Sequence, residues 1–310
     1  MRPVARPTLG RAGAPGGGPV TDIGVALEAV EASGRGAFRM FLRNKAAVIG
    51  LAMFAFIILM TIFGPSIYGT EAGKMIARPF SPPGDPLAPR LGTDYLGRDI
   101  LAGIIGGGRT TLVVGAVAAS MSMSIGLVVG SLAGYYGRWI DSALMRLTEI
   151  FQVLPALLFA MVLVTLLEPS ARTVALAIGL VSWPAAARLT RAEFLRVREM
   201  EFVKAARAIG CGDIRIMLRT ILPNAMPPLL VATTLTVGIA ILFEAGLAFL
   251  GLGDTSTISW GSMIGNNKGY ILEAWWTVTF PGFAIFFTVL SISLIGDGLQ
   301  DAFNPKLRGR

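Results

Sequence analysis

The sequence predicts an all-α polytopic membrane protein with six transmembrane helices, and three observations carry that expectation. Apolar residues fill 54% of 310 positions and charged ones only 15%, where an ordinary soluble domain is about a quarter charged. Mean hydropathy is +0.66. The charges also collect between long apolar runs instead of spreading through them, so each run has the length and composition of a bilayer span.

The same composition excludes several function classes. A net charge of +8 suggests nucleic acid at first sight, but basic residues placed between apolar runs encode membrane topology instead. The single cysteine rules out an internal disulfide. With no histidine, the chain cannot build a His-based metal site, a Ser-His-Asp triad or a Cys-His dyad. Gly73-Lys74 lacks the upstream glycine and the following Ser or Thr of a P-loop. No catalytic residue, metal site or resident cofactor is expected.

Taken in order, residues 1–45 read as a tail rich in Gly, Pro and Ala, with Phe38, Phe41 and Leu42 on a surface-lying segment at its end. Residues 46–67 form the first span, behind a basic cluster of Arg35, Arg39, Arg43 and Lys45. Residues 68–109 are polar and contain prolines, and read as an extracytoplasmic loop whose Leu91–Asp99 stretch makes an ordered glycine turn. The second span runs from Thr110 to Gly137. Ser122, Gly126, Gly130 and Gly134 recur every fourth residue there, giving a small-residue face for close helix packing.

Tyr135 to Arg146 reads as a short loop, and the third span follows from Ile150 to Leu167 with a kink at Pro155. The fourth run, Ala171 to Ala187, is marginal in length. The fifth, Ala225 to Phe243, leads into Glu244, an acid within continuing apolar sequence near the outer mouth, which reads either as functional or as a buried carboxylate hydrogen-bonded to helix ends or a neighbouring arginine. Trp275 and Trp276 suit an interfacial belt before the sixth span, and residues 301–310 close the chain as a tail. With the N-terminus inside, 20 of the 27 Lys and Arg fall on inner segments and 7 on outer ones. That bias predicts both termini in the cytoplasm.

Between the fourth and fifth spans, residues 188–224 form a charged island on the inner side. Phe202, Ala205, Ala206 and Ile209 stand at spacings of three, four and seven, hence on one helical face. Gly210 to Gly212 should end that helix. Asp213 should cap a second one with a stripe of Ile214, Met217, Leu218 and Ile221, stopped by Pro223. A short helix with small residues and one bulky anchor is shaped to enter a groove on a partner, the alternative being an amphipathic helix lying on the inner membrane surface.

Ala205-Ala206, Gly210 and Leu222-Pro223 resemble the Glu-Ala-Ala docking loop of ABC importer permeases, with Lys204 standing at the family's Glu position. Leu91–Asp99, Tyr135–Arg146, Glu244–Gly253, Ser259–Met263 and Ile295–Arg308 are likewise similar to the C-type permease of the oligopeptide, dipeptide and nickel importers. The resemblance implies a five-helix type I core within residues 110–300, plus one added N-terminal helix. It implies an ATPase-docking set of Glu201, Phe202, Val203, Lys204, Ala205, Ala206, Ile209, Gly210, Leu222 and Pro223. Gln152, Pro155 and Glu244 are the candidate pathway residues.

The resemblance further implies a heterodimer with a homologous B-type permease, two cytoplasmic ABC ATPase subunits or domains that bind the ATP and Mg, and an extracytoplasmic substrate-binding protein. The setting is the lipid bilayer of the bacterial cytoplasmic (inner) membrane, with no nucleic acid partner. A secondary transporter or another polytopic membrane protein is the alternative, but the chain offers no internal repeat and only one acid in its apolar runs.

Overall fold

The computed structural model describes residues 40–303, so the tail expected over 1–45 lies outside the described residues as far as position 39, as does the end of the chain from 304. Apart from two isolated bridges in the outer loop, the regular structure of the described residues is helical. Five helices have the length and composition to cross a bilayer: α1 (Lys45–Tyr68), α2 (Ile100–Tyr136), α5 (Ala171–Arg198), α7 (Asp213–Phe249) and α9 (Trp276–Phe303). A broken pair, α3 (Arg138–Val153) and α4 (Ala156–Leu166), bent by 84°, meets the same criterion only when taken together and brings the candidate crossings to six. Among the described residues there are also α6 (Glu201–Ala208), on the loop expected to be inner, and α8 (Trp260–Asn267), on the loop expected to be outer, followed by a 3₁₀ turn at Lys268–Tyr270.

The bundle is built around the contact between α2 and α5. Added Cβ atoms at Gly126, Gly130 and Gly134 would lie 2.4 Å from Ala186 Cβ, 2.4 Å from the Ala187 carbonyl oxygen and 2.7 Å from Phe194 Cβ. The fourfold spacing thus lets two backbones touch, as expected from the small-residue face. α5 continues past the apolar run to Arg198, and basic Arg196 and Arg198 in its last turn suit the negative end of the helix dipole. Val114, Ala118, Ala160, Val164, Ile178 and Ala240 fill the middle of the bundle from four helices.

α1 leans on α9. Gly298 admits Ala47, and the Asn44 side chain caps α1 while donating to Asp301 Oδ2 at 2.9 Å. This contact puts the start of α1 and the end of α9 on one face of the bundle. The rest of α1 is apolar all round and exposes Ile49, Phe56, Ile62 and Phe63, as a lipid-facing helix would.

The outer loop is ordered, as its glycines predict. Gly92 and Gly97 take φ of +78° and +75°, and a Cβ at Gly97 would sit 2.1 Å from the Ala77 carbonyl oxygen. Asp94 Oδ1 accepts from the backbone of Leu96 and Arg98, and Asp99 caps α2 through Leu101 N–H at 2.8 Å. That cap starts the second span at Ile100 instead of Thr110 and brings Arg109 into the helix.

Three further expectations are corrected. Tyr135 to Arg146 is not a loop, because α3 begins at Arg138 and presents an amphipathic face too polar to register as a span. Pro155 does not kink one helix. Leu154 is extended at φ −76°, ψ 130°, as a residue before proline prefers, and the helix breaks there. Trp276 is no belt residue either: it is buried and donates its indole N–H to the Thr93 carbonyl at 3.1 Å, while Trp275 stays half-exposed.

Because the α2–α5 contact is backbone against backbone, Gly130→Ala should lower stability by about 1–3 kcal/mol. Gly238→Ala should be neutral or stabilising, since its Cβ would meet nothing nearer than 3.6 Å and alanine favours helix. Thermal unfolding of the two purified variants in detergent reads the difference.

Candidate functional site

The inner loop is held from below and bare above. Val203 is fully buried and inserts α6 into a cluster with Tyr135, Phe194, Val197, Ile216 and Ile221. Ala206, Cys211 and Leu222 pack partly against the same cluster. On the opposite side Phe202 is 43% exposed, Ile209 is 81% exposed and Ala205 is open between them. The predicted face therefore splits, with Phe202, Ala205 and Ile209 pointing away from the bundle and Ala206 flanking it. Glu201 and Lys204 lie exposed beside the stripe and pair at 3.0 Å, a surface contact worth little.

The end of α6 follows glycine chemistry. Gly210 has φ +79°, and the Cys211 N–H reaches back to the Ala206 carbonyl at 3.1 Å. No neighbour lies within 4 Å of a Cβ built at Gly210, so conformation and not space demands glycine there.

The segment after the turn departs from expectation in three ways. Asp213 does not cap a helix; it is the first residue of α7, and its Oδ1 accepts from the Tyr135 hydroxyl at 2.6 Å. The buried face is Ile216, Met217 and Ile221, whereas Ile214 and Leu218 are exposed, because Ile216–Ile221 is π-helical and the wider turn shifts the register. Pro223 does not stop the helix. Leu222 N–H bonds to Met217 O in the π pattern, the Asn224 side chain donates to Thr220 O at 2.7 Å, and α7 runs on to Phe249. A widened turn accommodates a ring that would collide with a regular α-helical carbonyl.

The remaining candidates lie elsewhere. Gln152 and Pro155 flank the α3–α4 break and are exposed with Val153 and Leu154 between them. Glu244 is near the outer end of α7 and only 3% exposed. The hydroxyls of Thr111 and Ser259 lie near its carboxyl, whose Oε2 is buried without a hydrogen-bond partner among the described residues. Those hydroxyls accept from Trp260 N–H and Ser262 N–H respectively, which leaves their own protons free for the acid. Glu244 is thus buried where α2, α7 and the start of α8 meet and does not stand in an open mouth. In the adjoining outer loop the Ser256 hydroxyl and the Ser256 and Ala171 N–H groups hold the Asp254 carboxyl below the usual aspartate range, fixing the outer end of α5.

Sequence reasoning missed the polar ring at the inner end of α2. Tyr135 receives the Arg207 guanidinium over its ring at 5.6 Å, and Arg198 Nη1 donates to the Gly134 and Tyr135 carbonyls at 3.2 and 2.9 Å. Arg191 makes a two-pronged pair with Asp141 beside it, joining α5 to α3. The only sequence signal was a Tyr-Tyr-Gly-Arg stretch at the foot of a span.

The two faces of α6 should separate in stability measurements. Val203→Ala should cost the purified chain about 2 kcal/mol. Ile209→Ala should stay within about 0.5 kcal/mol, since that side chain buries nothing in the chain itself. Equal losses on chemical unfolding would contradict this placement.

Residues 126–309 match the family of the binding-protein-dependent transport system inner membrane component, and residues 34–83 match the N-terminal TM domain of oligopeptide transport permease C. The chain is 40% identical over 276 residues to a dipeptide transport system permease protein DppC of Alkalihalophilus pseudofirmus, covering 88% of this chain and 90% of that one. It is 39% identical to a di/tripeptide transport system permease protein DppC of Pseudomonas aeruginosa, over 87% of this chain and 91% of the relative. Among solved structures, a chain of the inward-facing MetNI methionine ABC transporter superposes with TM-score 0.56 at 19% identity, covering 65% of this chain and 97% of that chain. That likeness bears on fold, and it is the type I permease fold. By its matching segments, its relatives and its helical architecture, this chain belongs to the family of binding-protein-dependent transport system inner membrane components, with the N-terminal domain of the oligopeptide permease C type.

Proposed function

We propose that this chain forms half of the translocation pathway of an ATP-driven importer for peptides or a related small solute. It couples ATP hydrolysis by partner ATPases to alternating access. The observation that carries this reading is the bare apolar stripe of Phe202, Ala205 and Ile209 on a helix whose other face is anchored by Val203. A helix that keeps its small and apolar residues turned to water, beside a basic inner loop, has the form of a ligand for a groove. Its partners are two cytoplasmic ABC ATPase subunits or domains, which bind the ATP and Mg. A homologous B-type permease supplies the other half of the pathway and the second docking loop, and an extracytoplasmic binding protein delivers the solute. Both termini lie in the cytoplasm, in line with the inner excess of Lys and Arg.

The break at Leu154-Pro155 supplies the pathway in this reading. Non-helical backbone at membrane depth is tolerated where protein buries it or where it lines a water-filled cavity. α4 has 11 residues, so it rises about 16 Å and covers only part of a bilayer core of about 30 Å. Gln152 and Pro155, exposed at the break, face the water-filled route. Motion of the docked loop changes which side of the membrane that route opens to, provided nucleotide favours one state over the other.

Ala205 is the residue to enlarge, since Ala206 also touches the bundle. Ala205→Trp should leave the chain folded and reduce co-purification of the ATPase about tenfold, the scale of one lost interface hot spot. Undiminished transport-coupled ATPase activity in that variant would sink the docking assignment.

A further inference from the structure

The inner loop is attached to the bundle at a second point besides Val203. Tyr135 is buried at the foot of α2, where its hydroxyl donates to Asp213 Oδ1 at 2.6 Å and its ring carries the Arg207 guanidinium. Its carbonyl accepts from Arg198. One side chain and its backbone thus touch the end of α5, the end of α6 and the start of α7. Those three elements enclose the docking turn, yet α2 itself is joined to them covalently only through α3 and α4.

The other end of α2 is gripped just as firmly. The Trp260 indole N–H donates to the Ile104 carbonyl at 2.8 Å, and Trp260 N–H donates to Thr111 Oγ1 at 3.2 Å. The indole is fully buried there, packed with Ile100 and Ile241. Between the two joints, from Ile104 to Tyr135, α2 runs unbroken and without proline for roughly 47 Å. The paths through α5 and α7 are interrupted by buried Pro184 in one and by the π turn and Pro227-Pro228 in the other. The uninterrupted element is the stiffer connection.

We propose that Tyr135 is a positioning residue that clamps the docking loop to α2, so that α2 carries loop displacement directly to the extracytoplasmic Ser259–Met263 segment. The inference rests on the proposed function, because it needs a docked ATPase to supply the displacement. A phenol hydrogen-bonded to a carboxylate is a charge-assisted contact, and the cation over the ring adds a second grip in the same place. Removing only the hydroxyl loosens the clamp without leaving a cavity.

The test uses the transporter purified with its partner permease and ATPases in lipid nanodiscs. ATPase activity is measured with and without the peptide-loaded binding protein. Tyr135→Phe should keep the complex assembled, with near wild-type unfolding temperature and basal ATPase, while stimulation by the loaded binding protein falls about tenfold. Asp213→Asn retains an acceptor and should preserve most of the stimulation, whereas Asp213→Ala should match Tyr135→Phe. In a Cys211→Ser background, an environment-sensitive dye on Leu272→Cys, an exposed outer position, should report ATP binding in the otherwise wild-type chain and lose that response with Tyr135→Phe. Full stimulation and an intact dye response in Tyr135→Phe would overturn the clamp. Equal losses of basal activity, unfolding temperature and stimulation would also overturn it, as the mark of a merely structural tyrosine. If no ATPase co-purifies with the wild-type chain, the proposed function fails first and takes the clamp with it.

Discussion

Backbone contact between α2 and α5 is the constraint on which the other arrangements depend. In a bilayer there is no hydrophobic drive between helices, because lipid tails are as apolar as leucine, and adhesion comes from close packing. Gly126, Gly130 and Gly134 give α2 that closeness over its inner half. Once α5 is seated, Phe194 and Val197 form the floor on which Val203 and Ile216 rest. The inner loop therefore inherits its position from a row of missing side chains some distance away.

That inheritance separates the roles of neighbouring residues. Val203 and the flank of Ala206 hold α6 to the bundle, while Phe202, Ala205 and Ile209 remain for something outside it. Gly210 turns the chain so that Asp213 returns to the foot of α2, and the π turn rotates α7 so that Ile216, Met217 and Ile221 face inward together. The outer half of the molecule repeats the scheme with different chemistry. Trp260 knots α8 to α2 through Thr111 and the Ile104 carbonyl, and Trp276 pins the ordered outer loop above them. Rigid joints at both faces and a broken helix between them suit a device that must change access without coming apart.

Much of this was legible in the residue order. The first span was expected at 46–67 and runs from Lys45 to Tyr68, because an uncharged run of bilayer length has one good use. The glycine ladder of α2 and the glycine turn before Asp99 followed from side-chain size and φ alone. What stayed hidden were features that hydropathy does not encode. The first half of α3 reads as a loop because its charges lie along one side of a helix, and a proline that could kink a helix breaks it instead. The π turn added an offset that no regular period anticipates, so Pro223 and the Ile214 stripe were misread. Tyr135 stands in the Tyr135–Arg146 stretch, but its partners, 63, 72 and 78 residues ahead at Arg198, Arg207 and Asp213, emerge only once α5 and α7 are folded beside α2.

The central claim is that an apolar stripe on the inner side of the membrane waits for a groove on an ATPase. Site-directed labelling reads this most directly. With Cys211→Ser removing the only native thiol, Ile209→Cys places a reactive group at the most exposed point of the stripe. A membrane-impermeant maleimide should label it in inverted vesicles stripped of ATPase, fail to label it in intact cells, and be excluded again when the ATPase is added back. Labelling from outside intact cells, or labelling in inverted vesicles that the added ATPase leaves unchanged, would contradict the account.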